Sequence, residues 1–211
     1  MDLIEILPTS DPQELRFLYR ADYDATNLLR RSIISEIPCY AVDNCNFLTI
    51  EGYVPASTIT PEDVASRLGQ CPLVQSELPT DPETKVYHLE VVSDQGIRRV
   101  TTRDIANLPF VEEFEIVKLK AGEYVCCDIR LKKSTPREHM KYLVTSLVGV
   151  EDDPEGHILT CELTGQYDAR DVIRMGLEGM DNTLTDVGEN MFYLLAPSAH
   201  APTAAPAQSP E

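Results

Sequence analysis

The chain has 211 residues, 43% of them hydrophobic and 25% charged, and its 18 Lys plus Arg against 35 Asp plus Glu give a formal net charge of −17 at pH 7. A chain of this length buries about 70% of its unfolded surface as one large domain or two small ones; an acidic field of that size repels phosphate backbones and argues against a stand-alone nucleic-acid binder. No run of 18 uncharged apolar residues occurs, which excludes a transmembrane helix, and MDLIEILPTSDPQE has no basic stretch ahead of an apolar core, so no secretory signal is expected.

The first predicted element is a β-hairpin. Leu3, Ile4, Ile6 and Leu7 make an apolar strand, Pro8 to Pro12 supply turn chemistry, and Leu15, Phe17 and Tyr19 alternate with Arg16, Leu18 and Arg20 in a second strand. A helix follows, with Asp24 as its expected N-cap. Its apolar stripe is Leu29, Ile33 and Ile37, broadened by Leu28 and Ile34, and Pro38 ends it. Arg30 and Arg31 lie side by side in this apolar helix. Two readings fit them: surface arginines that snorkel, or a docking contact in which a planar fork meets a carboxylate or backbone carbonyls of another subunit.

The middle of the chain is rich in strands. CYAVDNCNFLTIEGYV supplies one or two. Thr60-Pro61-Glu62-Asp63 opens a short helix, Thr60 capping and Pro61 at the first helical position, and Gly69 is expected to end it in a left-handed conformation. VYHLEVV, FEIVKLK and EYVCCDIRL show period-two patterning; in the last, Val125, Cys127, Ile129 and Leu131 share a face. PREHMKYL suits a helical turn and LVGVE a strand. HILTCELTG predicts a further strand with Leu159, Cys161 and Leu163 facing one way.

The sharpest local signal comes last. Ile173, Leu177, Met180, Leu184, Val187, Met191 and Leu194 are spaced 4, 3, 4, 3, 4, 3, a heptad seam. A helix over residues 169–195 would be about 40 Å long at 1.5 Å per residue. Periodicity alone leaves two readings open, a core helix of this chain or a helix shared with a second polypeptide. Gly176, Gly179 and Gly188 each cost such a helix roughly 1 kcal/mol relative to Ala, so it needs packing to persist. The tail 196–211, APSAHAPTAAPAQSPE, has no large apolar residue and is expected to be disordered.

Catalytic and metal chemistry find little support. The cysteines (Cys39, Cys45, Cys71, Cys126, Cys127, Cys161) are spaced 6, 26, 55, 1 and 34 apart, without close ligand pairs, and the four histidines make no H-x₃-H pattern. No metal or cofactor is expected, and reduced thiols of an intracellular protein are. There is no G-x-S-x-G elbow and no G-x-x-x-x-G-K-[ST] phosphate loop. An intracellular thiol enzyme using Cys39 or Cys126 is the weakest alternative.

NLLRRSIISEIPCYAVD resembles the hallmark segment of the α-like subunits of multisubunit DNA-directed RNA polymerases: the eukaryotic third-largest subunit and its relative in polymerases I and III, their archaeal counterpart, and the N-terminal domain of bacterial α. Asn27, Leu29, Arg30, Arg31, Glu36, Ile37, Pro38, Ala41, Val42 and Asp43 carry the match. It continues through Arg67, Leu68, Gly69, Pro72 and Leu73, through Glu138, His139 and Lys141, and into the final helix, spanning about residues 3–195. The cysteine-rich zinc loop of many eukaryotic relatives is replaced by VQSELPTDPETK, and the iron–sulfur domain of some archaeal relatives and the DNA-binding C-terminal domain of bacterial α have no counterpart. A short, zinc-free version of this kind suits a divergent or viral polymerase.

The resemblance implies an α+β fold. A discontinuous dimerisation domain is expected from residues 1–40 and 157–195, with a β-rich insert over 41–156. It implies a non-catalytic assembly subunit that pairs with a smaller α-like subunit to form the platform for the two large catalytic subunits, without sequence-specific nucleic-acid contact and away from membranes. Leu29, Ile33, Ile173, Leu177, Met180, Leu184, Val187 and Met191 are the expected dimer interface, and Arg30 and Arg31 the expected large-subunit docking residues. The expected location is the nucleus for a cellular eukaryotic protein, and the cytoplasm, viral factory or virion for an archaeal or viral one. A free-standing dimeric adaptor that keeps the fold outside a polymerase is the alternative.

Overall fold

A computed structural model describes residues 2–11 and 13–195, and the side chains within 4–188 apart from residue 12. The elements in chain order are β1 (Asp2–Leu7), β2 (Glu14–Arg20), α1 (Tyr23–Ser35), β3 (Cys39–Phe47), β4 (Val54–Pro55), α2 (Pro61–Gln70), β5 (Tyr87–Ser93), β6 (Arg98–Thr101), β7 (Glu115–Leu119), β8 (Glu123–Ser134), β9 (Thr145–Asp153), β10 (Gly156–Leu163) and α3 (Ala169–Leu195). The fold is α+β. The expectation for the tail 196–211 lies outside the described residues.

The β1–β2 hairpin forms as its alternation predicts, antiparallel, with a bulge between Leu3 and Glu5. It joins β10 and β9 in a four-stranded antiparallel sheet of order β1-β2-β10-β9. Leu15, Phe17 and Tyr19 from β2 and Leu159, Cys161 and Leu163 from β10 point to one face of this sheet. There they pack with Leu29 and Ile33 of α1, Ile37, Tyr142, Val148 and Val172. β9 hydrogen-bonds to β10 and its Val148 enters this core, although the insert bounds implied by the family resemblance include it.

A second core lies between a sheet built on β8 and the short helix α2. β8 pairs antiparallel with β3 and with β5 and parallel with β4, while β6 and β7 form a separate ribbon. Val125, Cys127, Ile129 and Leu131 share the face their alternation predicts and pack against Val64 and Leu68 of α2 and Ile116 and Leu119 of β7. Gln75 joins the two regions. Its side-chain oxygen accepts from the Tyr40 N–H (2.8 Å), its amide donates to the Tyr40 carbonyl (3.0 Å), and its backbone N–H donates to the Gln166 carbonyl (3.1 Å). Contacts divide the chain after Met180: the unit before it holds both cores, and the unit after it contributes the second half of α3.

Two local expectations are corrected. The N-cap of α1 is Asp22, whose extended backbone precedes the first helical residue and whose carboxylate accepts from the Ala25 N–H at 2.7 Å. Asp24 sits in the first turn, where its charge still favours the helix dipole. Gly69 does not terminate α2, which continues to Gln70. It serves close packing instead, since a Cβ there would lie 3.4 Å from the Val42 carbonyl oxygen.

Candidate subunit-docking surface

α3 packs against α1 through glycines: Gly176 faces Ile33 and Leu29, and Gly179 faces Ser32 and Glu36. The Ser32 hydroxyl donates to the Gly176 carbonyl at 2.6 Å. A Cβ on Gly176 would stand 2.5 Å from Ile33 Cγ1, and one on Gly179 would stand 2.6 Å from Ser32 Oγ. Two of the glycines that weaken α3 in isolation, Gly176 and Gly179, leave room for α1, so their propensity cost is offset by packing, whereas a Cβ on Gly188 would meet nothing within 4 Å. The lead-in to α3 is tied to the end of α1 as well, the Tyr167 hydroxyl donating to the Pro38 carbonyl at 2.7 Å.

This packing sorts the predicted interface residues. Leu29 and Ile33 are fully buried in the chain's own core, where they hold α3 in place. Ile173 and Met180 are partly buried at the shoulder of that core. Leu177, Leu184 and Val187 are 41%, 52% and 51% exposed. Leu184 and Val187, both in the second unit, sit three residues apart at heptad positions and make an apolar ridge on that half of α3. The Met191 side chain lies outside the described ones.

Arg30 is half-buried, and its Nε and Nη2 donate to Asn27 Oδ1 at 3.2 and 2.9 Å. Arg31, one position on, is exposed. Neither guanidinium pairs with a carboxylate among the described residues. Sequence reasoning misses Asn27 as the group that orients Arg30, though the i, i+3 spacing of the two is the signal that could have found it.

Other motif residues hold the surface together. Lys141 pairs with Asp43 at 2.7 Å, and the Tyr142 hydroxyl donates to the same carboxylate oxygen. The Lys141 hydrogen bond holds the Asp43 carboxyl below its ordinary range despite partial burial. Arg137 pairs with Glu36 at the end of α1 at 2.5 Å. Glu138 accepts from Lys132 and Ser134, and Arg67 Nη1 donates to the Ile116 carbonyl at 2.6 Å.

Cys39 and Cys126 are poorly placed for nucleophilic work. Burial pushes Cys39 up to about 12, and its Sγ donates to the Tyr142 carbonyl. Burial raises Cys126 too. A protonated thiol is a weak nucleophile. Among the described residues no group of three or more His, Cys, Asp or Glu is placed to hold a metal ion, and no helix is long and apolar enough to cross a membrane.

Residues 20–184 match the family described as the RNA polymerase Rpb3/Rpb11 dimerisation domain. The chain belongs to this family. The matched segment runs from α1 to the middle of α3 and includes both the arginine pair and Leu184. The chain is also similar to the DNA-directed RNA polymerase subunit Rpo3 of Methanobrevibacter smithii, 24% identical over 166 residues, which is 72% of this chain and 59% of that protein. It therefore spans less than two thirds of the length of this relative.

Proposed function

We propose that this member of the dimerisation-domain family is a non-catalytic assembly subunit of a DNA-directed RNA polymerase. It pairs with a smaller α-like subunit, and the heterodimer is the platform on which the two large catalytic subunits assemble inside the cell. The observation that carries this reading is that Leu184 and Val187 continue, beyond Met180, the apolar stripe whose earlier members Ile173 and Met180 pack against the chain's own core, and that they stand half-exposed. A partner helix laid along them would remove apolar surface from water.

In this reading the dimerisation domain comprises residues 1–40 and 157–195 around an insert at 41–156. The pairing of β9 with β10 favours counting β9 with the dimerisation domain. Arg30 and Arg31 then dock the large subunits, and no direct sequence-specific nucleic-acid contact is needed. Purification of the native assembly through this chain tests the proposal. Co-elution with an α-like subunit and two very large chains supports it, and a lone dimer favours the adaptor.

A further inference from the structure

A cleft of ≈ 260 Å³ opens between α1 and the β9–β10 hairpin, lined by Tyr23, Thr26, Asn27 and Arg30 on one side and by Asp152 and His157 on the other. The four helix residues fall at i, i+3, i+4 and i+7, so one helix face forms the wall. Arg30 is oriented there by a neutral group, the Asn27 side-chain oxygen, and keeps its charge and remaining N–H donors. The carboxylate in the same cleft is engaged elsewhere, Asp152 Oδ1 lying 3.1 Å from His157 Nδ1.

Thr26 is 2% exposed, and its hydroxyl lies beside the Tyr19 hydroxyl. Tyr23 stands at the rim, 75% exposed.

We propose that this cleft is a socket for one Asp or Glu side chain of a docking polypeptide, with Arg30 as the charged donor and Tyr23 at the rim. The inference rests on the docking reading above and names the chemistry that surface recognises. A planar guanidinium offers a carboxylate two parallel hydrogen bonds, which an ammonium cannot reproduce. A single cation beside the exposed Asp152 in so acidic a protein suits one carboxylate delivered by a neighbouring surface better than a polyanion.

The test uses the native assembly recovered through the full chain, with photoreactive benzoylphenylalanine in place of Tyr23. Irradiation should crosslink a partner segment in which an Asp or Glu adjoins the crosslinked residue. Arg30→Gln should weaken capture of that partner roughly 10- to 100-fold, the loss expected for hydrogen bonds to a charged group. Arg30→Lys should restore only part of the loss, and Arg30→Glu should be rescued by an Arg in place of the crosslinked acidic residue. If Arg30→Gln melts early, Asn27→Ala, which frees the guanidinium without removing it, should still weaken capture. A crosslink to nucleic acid or to a segment without acidic residues, or capture by Arg30→Gln equal to that of the unaltered chain, overturns the socket and leaves the docking reading standing. Failure of the unaltered chain to recover any large subunit overturns both.

Discussion

Leu184→Asp probes the ridge most sharply. Leu184 is 52% exposed, so about half of its surface remains for a partner to cover. Full burial of a leucine is worth about 1.5–3 kcal/mol, so covering that half contributes roughly 1 kcal/mol to binding. An aspartate at the same place forfeits that term and must shed water from an unpaired carboxylate, at a further cost of roughly 2–3 kcal/mol. The sum, roughly 3–4 kcal/mol, corresponds to a 150- to 1,000-fold loss of affinity. The lower helix propensity of Asp, about 0.5 kcal/mol, acts on the free and bound chain alike and leaves binding unaffected. Sedimentation velocity over a dilution series of the co-expressed pair reads the change. Leu184→Ala should lose only the burial term, roughly 5-fold. The wide gap between the Ala and Asp variants is the signature of a covered position. If the Asp variant holds its partner within twofold of the unaltered chain, the ridge is not the interface.

Replacing Arg30 and Arg31 by Ala should leave the pair with the α-like subunit intact and reduce recovery of the large subunits, read by quantitative mass spectrometry of the purified assembly; unchanged recovery defeats the docking role. Gly176→Val places side-chain atoms where even a Cβ stands 2.5 Å from Ile33 Cγ1, and should lower stability by about 1–3 kcal/mol in thermal denaturation. The Asp43 carboxyl is held low chiefly by Lys141, and the Glu123 carboxyl chiefly by the Lys120 N–H with help from the Ser57 hydroxyl. Both therefore contribute stability that is complete above about pH 4.5 and is lost as the pH falls through their depressed folded values. The melting temperature should drop below that pH, and Asp43→Asn should cost more at pH 7 than at pH 3.

Much of the architecture is legible in the sequence because its signals are periodic. The alternation of Leu15, Phe17 and Tyr19, the Val125-to-Leu131 face of β8 and the heptads of α3 each depend only on which residues recur at which interval. What stays hidden depends on the position of one element against another. Nothing local distinguishes a glycine that ends a helix from one that admits a neighbouring backbone, so Gly69 reads as a terminator, and Gly176 and Gly179 as plain costs. Asp22 and Asp24 are equally good caps by composition, and only the backbone at Tyr23 decides between them. Heptad spacing likewise cannot tell Ile173, shouldered against the first core, from Leu184, which stands half in solvent. β6, with only four residues and two adjacent arginines, offers too short a pattern to register. Arg30 stands out by its odd placement, but its orientation by Asn27 and the cleft facing it depend on the β9–β10 hairpin, more than 100 residues away along the chain.

Native mass spectrometry of the assembly recovered through this chain tests the central claim most directly. The account predicts one copy of this chain bound to one smaller α-like subunit, the two together carrying both large polymerase subunits. A stable monomer at micromolar concentration, its Leu184 and Val187 open to solvent and no companion retained, would contradict it.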